Sequence, residues 1–64
     1  MTLGEKVKEA RKRLKLTQKQ LAKAVGVSHS DVSRIETGKH RHGLTVDKVL
    51  EYLGINKFEN AISS

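Results

Sequence analysis

The 64-residue sequence predicts a small all-α domain, and three observations support that prediction. Apolar residues recur at helical spacing, serines and threonines stand where helices would begin, and glycines stand where they would end. No stretch alternates apolar and polar residues in the way that a half-buried strand requires. We therefore expect five short helices around one core, with residues 1–64 forming a single domain.

The first helix is expected over residues 3–14, because four apolar residues recur there at helical spacing. They are Leu3, Val7, Ala10 and Leu14. Thr2 is followed three positions later by Glu5, which matches a capping box, in which each side chain bonds the other residue's backbone amide. This helix is expected to bury its apolar stripe against the rest of the chain.

The next three helices share one construction, which is an apolar residue, a serine or threonine as N-cap and a second apolar residue four positions after the cap. The matches are Leu16-Thr17 with Leu21, Val27-Ser28 with Val32, and Leu44-Thr45 with Val49. They predict helices near residues 18–25, 28–37 and 45–53. Gln20 and Asp31, each three positions after its cap, predict capping boxes at the first two of these helices.

Glycine follows the last apolar residue of each of these helices, where a residue at positive φ commonly ends a helix. The three glycines are Gly26, Gly38 and Gly54. Asn56 and Glu59 predict one more capping box and a short fifth helix with three apolar residues along one side. Those three residues are Phe58, Ala61 and Ile62.

The chain is basic, with 13 lysines and arginines against seven acidic residues and a net charge of +6. The excess lies in residues 1–27 and in the segment 39–43, so one face is expected to attract a polyanion, first of all nucleic acid. An anionic membrane surface is disfavoured, because the first helix has no tryptophan or phenylalanine and its apolar stripe is needed for the core. Nowhere are more than two apolar residues adjacent, which excludes a transmembrane helix.

No nucleophile, base and orienting group form a plausible constellation, and there is no glycine-rich phosphate loop, so we expect neither an enzyme nor a cofactor. His40 and His42 form a His-x-His pair, but no carboxylate or thiol stands beside them at ligand spacing, so no metal site is expected. The absence of cysteine makes a reducing, cytoplasmic setting the simplest.

Only Gly26 and Val27 separate the second and third helices, which is too short for antiparallel packing and predicts a steep crossing. A helix-turn-helix motif is therefore expected over residues 18–37. The inner positions of such a motif are suitably apolar or small: Leu21, Ala22, Val25, Val27, Val32 and Ile35.

Two runs of sequence resemble the lambda repressor/Cro-type (Xre) family of helix-turn-helix DNA-binding domains. They are LTQKQLAKAVGVS, from Leu16 to Ser28, and VSRIETGK, from Val32 to Lys39. The resemblance covers nearly the whole chain and implies a compact five-helix, lambda-repressor-like bundle. It also implies a bacterial or phage transcriptional regulator that binds near-palindromic double-stranded DNA as a homodimer. We expect this regulator to be a repressor.

The resemblance implies that the third helix reads the bases. The candidates are His29, Ser30, Ser33 and Arg34. Arg34 is the strongest, because a guanidinium can donate two hydrogen bonds to guanine, although a phosphate contact or a salt bridge to Asp31 would also explain it. His29 stands where the family often has glutamine, and it can donate to guanine or to a phosphate. Asp31 is expected mainly to cap the helix, and only secondarily to accept from cytosine.

Further residues are expected to contact the DNA backbone. They are Gln18, Lys19, Lys39, His40 and Arg41. Gln18 matches a family glutamine that hydrogen-bonds a phosphate, and the alternative is an ordinary solvent-facing side chain in a capped first turn. The last three lie in the loop after the third helix, where family members touch phosphates.

Arg11 and Glu36 match a family pair that bridges helix 1 and the end of helix 3, so we expect a structural ion pair. Phe58, Ala61 and Ile62 are expected either to form the dimer interface or to close the core. A second function stays open, namely an antitoxin or partner-dependent interaction module that has a cognate protein partner and uses its DNA binding for autoregulation.

Overall fold

A computed structural model describes residues 2–55, which form four α-helices and contain no strand. The helices are α1 (Leu3–Arg13), α2 (Gln18–Val25), α3 (His29–Glu36) and α4 (Leu44–Leu53). The all-α prediction is confirmed over these residues, with boundaries within about one residue of the expected ones. The expected fifth helix falls on residues 56–64, outside the described part of the chain, and stays a prediction.

Capping boxes begin α1, α2 and α3, as the sequence predicts. In α2 the Gln20 amide donates to Thr17 Oγ1 at 3.0 Å, and the Thr17 amide donates to Gln20 Oε1 at 2.9 Å. Ser28 and Asp31 make the same two bonds at the start of α3. Each box satisfies two amides that a helix start would otherwise leave without an acceptor, so the position of each helix start is set locally.

The expected cap of α4 is wrong. Its N-cap is Gly43 rather than Thr45, and no side chain caps this end. Gly43 has φ 117° and ψ 175°, a conformation that essentially only glycine adopts, and its carbonyl accepts from the amide of Asp47. The helix therefore begins before Thr45, and Leu44 becomes its first residue, 72% exposed, instead of a staple packed on Val49.

Leu14 does not belong to the buried stripe of α1, which corrects the sequence prediction. It is the C-cap residue and is 53% exposed, because the chain leaves the helix there. Lys15 adopts φ 59°, the amide of Lys15 donates to the Lys12 carbonyl, and the amide of Leu16 donates to the Arg11 carbonyl. This is a Schellman motif with lysine in the left-handed position, and it turns Leu16 onto the core in place of Leu14.

One apolar core lies between all four helices. Its buried members are Val7, Leu21, Ala22, Val32, Ile35, Val46, Val49 and Leu50. α2 and α3 make the most extensive helix–helix contact, and Gly26 ends α2 in the left-handed conformation, with φ 89°. Ser28 then caps α3, so only three residues, 26–28, join the helices and the helix-turn-helix arrangement follows.

α1 approaches the end of α3 closely at Gly4. A Cβ atom there would lie 2.5 Å from the carbonyl oxygen of Glu36 and 2.6 Å from that of Ile35. Only a residue without a side chain fits this contact between backbones, which fixes α1 against the last turn of α3. None of the helices within residues 2–55 is long and apolar enough to cross a bilayer.

Candidate nucleic-acid interface

One side of α3 faces solvent and carries polar side chains. His29, Ser30 and Arg34 are exposed, whereas Val32 and Ile35 on the opposite side are buried in the core. At about 100° per residue, the exposed positions span an arc of roughly 140° on the helix surface. This arc contains no carboxylate, and it forms one continuous polar face of α3 that is open to solvent.

Two more hydroxyl residues lie within the same arc. Ser33 is half-buried, so it is less accessible to solvent than His29, Ser30 and Arg34. Thr37, the C-cap of α3, is exposed, and its Oγ1 donates to the carbonyls of Ser33 at 3.0 Å and Arg34 at 3.3 Å. Since that proton is used, Thr37 presents its lone pairs outward as a hydrogen-bond acceptor.

Arg34 has a guanidinium that is available to a partner. Within residues 2–55 the side chain makes no ion pair, and Asp31 lies beyond the 4.0 Å that a salt bridge requires. Its backbone carbonyl is engaged instead, accepting from the amides of Lys39 at 2.9 Å and His40 at 3.1 Å. The loop after α3 is thus anchored to the residue that carries the free guanidinium.

Arg11 and Glu36 form a forked ion pair beneath this face. Arg11 Nε donates to Glu36 Oε2 at 2.7 Å and Nη2 donates to Oε1 at 3.2 Å, while Nη1 donates to the Leu16 carbonyl at 2.7 Å. The two side chains are only 11% and 4% exposed. The pair therefore joins α1, the α1–α2 turn and the last residue of α3, and it is shielded from solvent.

Gln18 extends this pair to the start of α3. Its Nε2 donates to Glu36 Oε1 at 3.1 Å, and its Oε1 lies 3.1 Å from His29 Nε2. The side chain is half-buried and lies between two residues, so it is not the solvent-facing glutamine that was the alternative. A primary amide has two N–H groups, so one donor of Gln18 remains for another acceptor.

The start of α2 is the one capping box of the three that contains no carboxylate. Glu5 and Asp31 occupy the equivalent positions in α1 and α3, whereas α2 uses the neutral Gln20. The amides of Gln18 and Lys19 precede the first intrahelical bond and have no acceptor within the helix. Without an acidic residue in its first turn, this helix end keeps its positive potential.

The comparisons with known proteins agree with this geometry. The helix-turn-helix family model matches residues 7–60, which is most of the chain. The chain belongs to the lambda repressor/Cro-type (Xre) helix-turn-helix family. The resemblance noted from the sequence is thereby confirmed, and with it a DNA-binding fold.

The chain is also similar to the HTH-type transcriptional regulator DicA of Escherichia coli (strain K12), at 50% identity over 38 residues. The aligned stretch is 59% of this chain and only 28% of DicA, so most of that regulator has no counterpart in the match. No solved structure matches the chain at a significant level.

The loop after the helix-turn-helix carries the second group of basic side chains. Arg41 Nε donates to the Gly38 carbonyl at 3.1 Å, which holds the guanidinium near the end of α3 and leaves both Nη atoms unengaged among the described residues. Lys39 and His42 are exposed and His40 is half-buried. Residues 2–55 contain no group of three or more potential metal ligands.

Asp31 belongs to the scaffold of the helix-turn-helix rather than to its open face. Its carboxylate accepts from the Ser28 amide at 3.2 Å, and this hydrogen bond, together with the one to the Ser28 side chain, lowers its pKa from the ordinary 3.8. Arg34 and His40 lower the pKa further through their charge. The carboxylate thus stays ionised at the start of α3, where the helix dipole favours it.

Two features of this helix-turn-helix were missed from the sequence. Thr37 shares the face of α3 because it lies four residues after Ser33, a signal that periodicity alone would have given. The contacts of Gln18 with Glu36 and His29 join residues 18 and 11 positions apart, and no local pattern predicts them. The proposed dimer residues Phe58, Ala61 and Ile62 lie outside the described part of the chain.

Proposed function

We propose that this chain is a sequence-specific regulator of transcription that inserts α3 into the major groove of double-stranded DNA. The observation that carries the proposal is the exposed polar face of α3, which presents side chains of both donor and acceptor type and no carboxylate. We further propose that it acts as a repressor, by occupying its operator and blocking other proteins sterically. Its place of action is then the bacterial or phage-infected cytoplasm, where the DNA lies.

The exposed face of α3 makes the base contacts in this proposal. The major groove is about 12 Å wide and admits one α-helix, with the first residues of that helix against the base edges. His29, Ser30, Ser33 and Arg34 are the proposed reading residues, with Thr37 at the far end of the face. Arg34 is assigned to guanine, because its guanidinium has no competing ion pair within residues 2–55.

The start of α2 and the loop after α3 hold the phosphates. Gln18 offers its second N–H, and the first two amides of α2 point from an uncompensated helix end, which favours an anion. Lys19 lies in that same turn, and Lys39, His40 and Arg41 supply charge from the other side of α3. Such contacts set the register of the protein on DNA and contribute most of its salt dependence.

Two copies on one operator complete the proposal. A near-palindromic site matches a two-fold dimer, with half-sites one helical turn or about 34 Å apart. We assign the dimer contact to Phe58, Ala61 and Ile62. The similarity to DicA, a transcriptional regulator, supports this proposal that the chain regulates transcription.

A partner-dependent module is the second candidate function, and one observation favours it. Leu44 and Tyr52 on α4 are 72% and 50% exposed, which is a large apolar exposure for so short a helix. A cognate protein covering these side chains would make DNA binding depend on that partner, as in an antitoxin.

The test is selection of bound duplexes from a random library at two salt concentrations, followed by anisotropy titration of the selected duplex. The regulator proposal predicts a palindromic motif whose affinity falls with salt but which still outcompetes random DNA at the higher concentration. Enrichment of no motif, with affinity that disappears in salt, would contradict it and favour the partner-dependent module.

A further inference from the structure

We propose that His29 reads DNA as a hydrogen-bond acceptor, through Nδ1, because Gln18 holds the imidazole proton on Nε2. The base selected on the strand that His29 contacts is then one with an amino group, adenine or cytosine. This inference rests on the proposed function and assigns the chemistry of one reading position. It differs from the sequence-based expectation, in which His29 donates to guanine or to a phosphate.

The argument begins at Glu36. Its carboxylate is paired with Arg11 through two hydrogen bonds, at 2.7 and 3.2 Å, so it is ionised and can only accept. The Gln18 atom that lies 3.1 Å from Glu36 Oε1 must therefore be the amide nitrogen. This contact fixes the orientation of the Gln18 amide, with its nitrogen facing Glu36 and its oxygen facing away from it.

The orientation of Gln18 in turn fixes the tautomer of His29. With its nitrogen toward Glu36, Gln18 directs its carbonyl oxygen at His29 Nε2, over 3.1 Å. A carbonyl oxygen only accepts, so Nε2 must carry the proton that makes this hydrogen bond. A neutral imidazole has a single N–H, and Nδ1 is consequently left with an exposed lone pair.

Nδ1 is the ring nitrogen that remains for DNA. His29 is exposed, and Nδ1 has no hydrogen-bond partner among residues 2–55. In the major groove, adenine N6 and cytosine N4 donate, whereas guanine O6 and N7 and thymine O4 only accept. An acceptor at this position therefore favours adenine or cytosine and leaves guanine or thymine facing a second lone pair.

The first arm of the test measures the tautomer in the free 64-residue protein. Long-range proton–nitrogen NMR at a pH where the ring is neutral should show a protonated Nε2 and a bare Nδ1 for His29. Gln18→Met, which keeps the bulk but removes the carbonyl, should shift His29 toward a mixture of tautomers, whereas His42 should not change. A proton on Nδ1 of wild-type His29, alone or together with Nε2, would overturn the proposal.

The second arm measures base preference on the selected operator. We expect about tenfold weaker binding when the contacted adenine or cytosine is replaced by guanine or thymine, or by an analogue that lacks the amino group. His29→Leu, which keeps a side chain of similar size but has no hydrogen-bonding atom, should lose most of that difference.

The two proposals fail differently. Tight, specific binding with a preference for guanine or thymine, or with none, at the His29 position would overturn the acceptor assignment and leave the regulator intact. If no duplex is bound specifically, the proposed function and this inference fall together. A circular dichroism melt of each variant separates a lost contact from a lost fold.

Discussion

Gln18 Nε2 donates a hydrogen bond to Glu36 Oε1 over 3.1 Å, and this contact ties the first residue of α2 to the last residue of α3. Because Glu36 is also paired with Arg11 of α1, one carboxylate holds three helices together. The relative placement of the two helices that meet DNA therefore depends on a side chain that is itself only 4% exposed.

Glu36→Gln should destabilise the fold severely. It removes the charge that compensates Arg11, whose side chain is only 11% exposed, and breaking a shielded pair in this way costs about 3–5 kcal/mol. The urea midpoint followed by circular dichroism should fall by a large fraction of its wild-type value. The double variant Arg11→Met/Glu36→Leu, which leaves no uncompensated charge, should lose less. A wild-type midpoint for Glu36→Gln would show that the pair is dispensable.

Gly4→Ala should destabilise the protein, against the usual trend for a helical glycine. Alanine in a helix interior normally gains about 0.5–1 kcal/mol over glycine. Here the added Cβ would lie 2.5 Å from the Glu36 carbonyl oxygen, and overpacking of that kind typically costs about 1–3 kcal/mol. Thermal melts should place Gly4→Ala below wild type and the control Lys8→Ala, at an exposed site on the same helix, close to it. A higher melting temperature for Gly4→Ala would refute the close approach of α1 and α3.

Lys15→Gly should stabilise the protein. Lys15 has φ 59°, where an L-residue pays about 1–2 kcal/mol, and glycine removes that cost while adding about 0.5–1 kcal/mol of unfolded-state entropy. We expect a net gain of roughly 0.5–1 kcal/mol in the free energy of unfolding. Gly38→Ala is the matched opposite, since Gly38 occupies the same position after α3 with φ 84°, and it should lose stability. Equal stability of all three proteins in urea would contradict the assigned backbone.

Stability should fall in acid as the capping carboxylates protonate. The hydrogen bonds to Ser28 and Thr2 lower the pKa of Asp31 and of Glu5 below their ordinary values of 3.8 and 4.5. A carboxyl whose pKa is lower in the folded state stabilises the fold above its unfolded pKa, and loses that contribution as pH falls through the folded pKa. The melting temperature of wild type should therefore drop from just above pH 4.5 downward. Asp31→Asn should have a lower melting temperature than wild type near neutral pH, and its melting temperature should fall less in acid. If the melting temperatures of the two proteins fall in parallel with pH, the Asp31 carboxylate makes no such contribution.

Gln20→Glu should separate stability from DNA binding. A carboxylate at this position keeps the capping box of α2 and should add about 0.3–1 kcal/mol at the positive helix end. The same charge would repel a phosphate there, so affinity should fall for every sequence alike, with little change in base preference. Ala24→Glu makes the same charge change near the far end of α2 and should weaken binding less. If both variants bind equally well, the start of α2 does not contact the DNA backbone.

The helix starts and ends were largely predictable, because they depend on neighbours three or four residues apart. Thr17 and Gln20 form their box as expected, and Gly26 ends α2 as expected. Where local signals compete, the prediction failed: Thr45 has the right chemistry for a cap, but Gly43 already turns the chain two residues earlier. Leu14 fits the apolar period, yet Lys15 ends the helix before that residue can be buried.

The residues that form the α3 face were predictable, but the hydrogen bonds that those residues make were not. His29 and Arg34 were predicted from the sequence and the resemblance, because the exposure of each side chain follows from its position on the helix. That His29 is held by Gln18, and Gln18 by Glu36, depends on contacts across 11 and 18 residues, which only the folded chain brings together. The direction of hydrogen bonding at His29 is consequently a property of the fold and not of the motif.

The most direct measurement compares Arg34→Ala and Lys39→Ala on the selected operator and on its single-base variants. If α3 reads bases and the following loop holds phosphates, Arg34→Ala should abolish the preference at one base pair, worth about 1–3 kcal/mol. Lys39→Ala should weaken all sequences alike and lower the salt slope by about one. Uniform weakening by Arg34→Ala, with every base preference intact, would contradict the assignment of α3 as the reading helix.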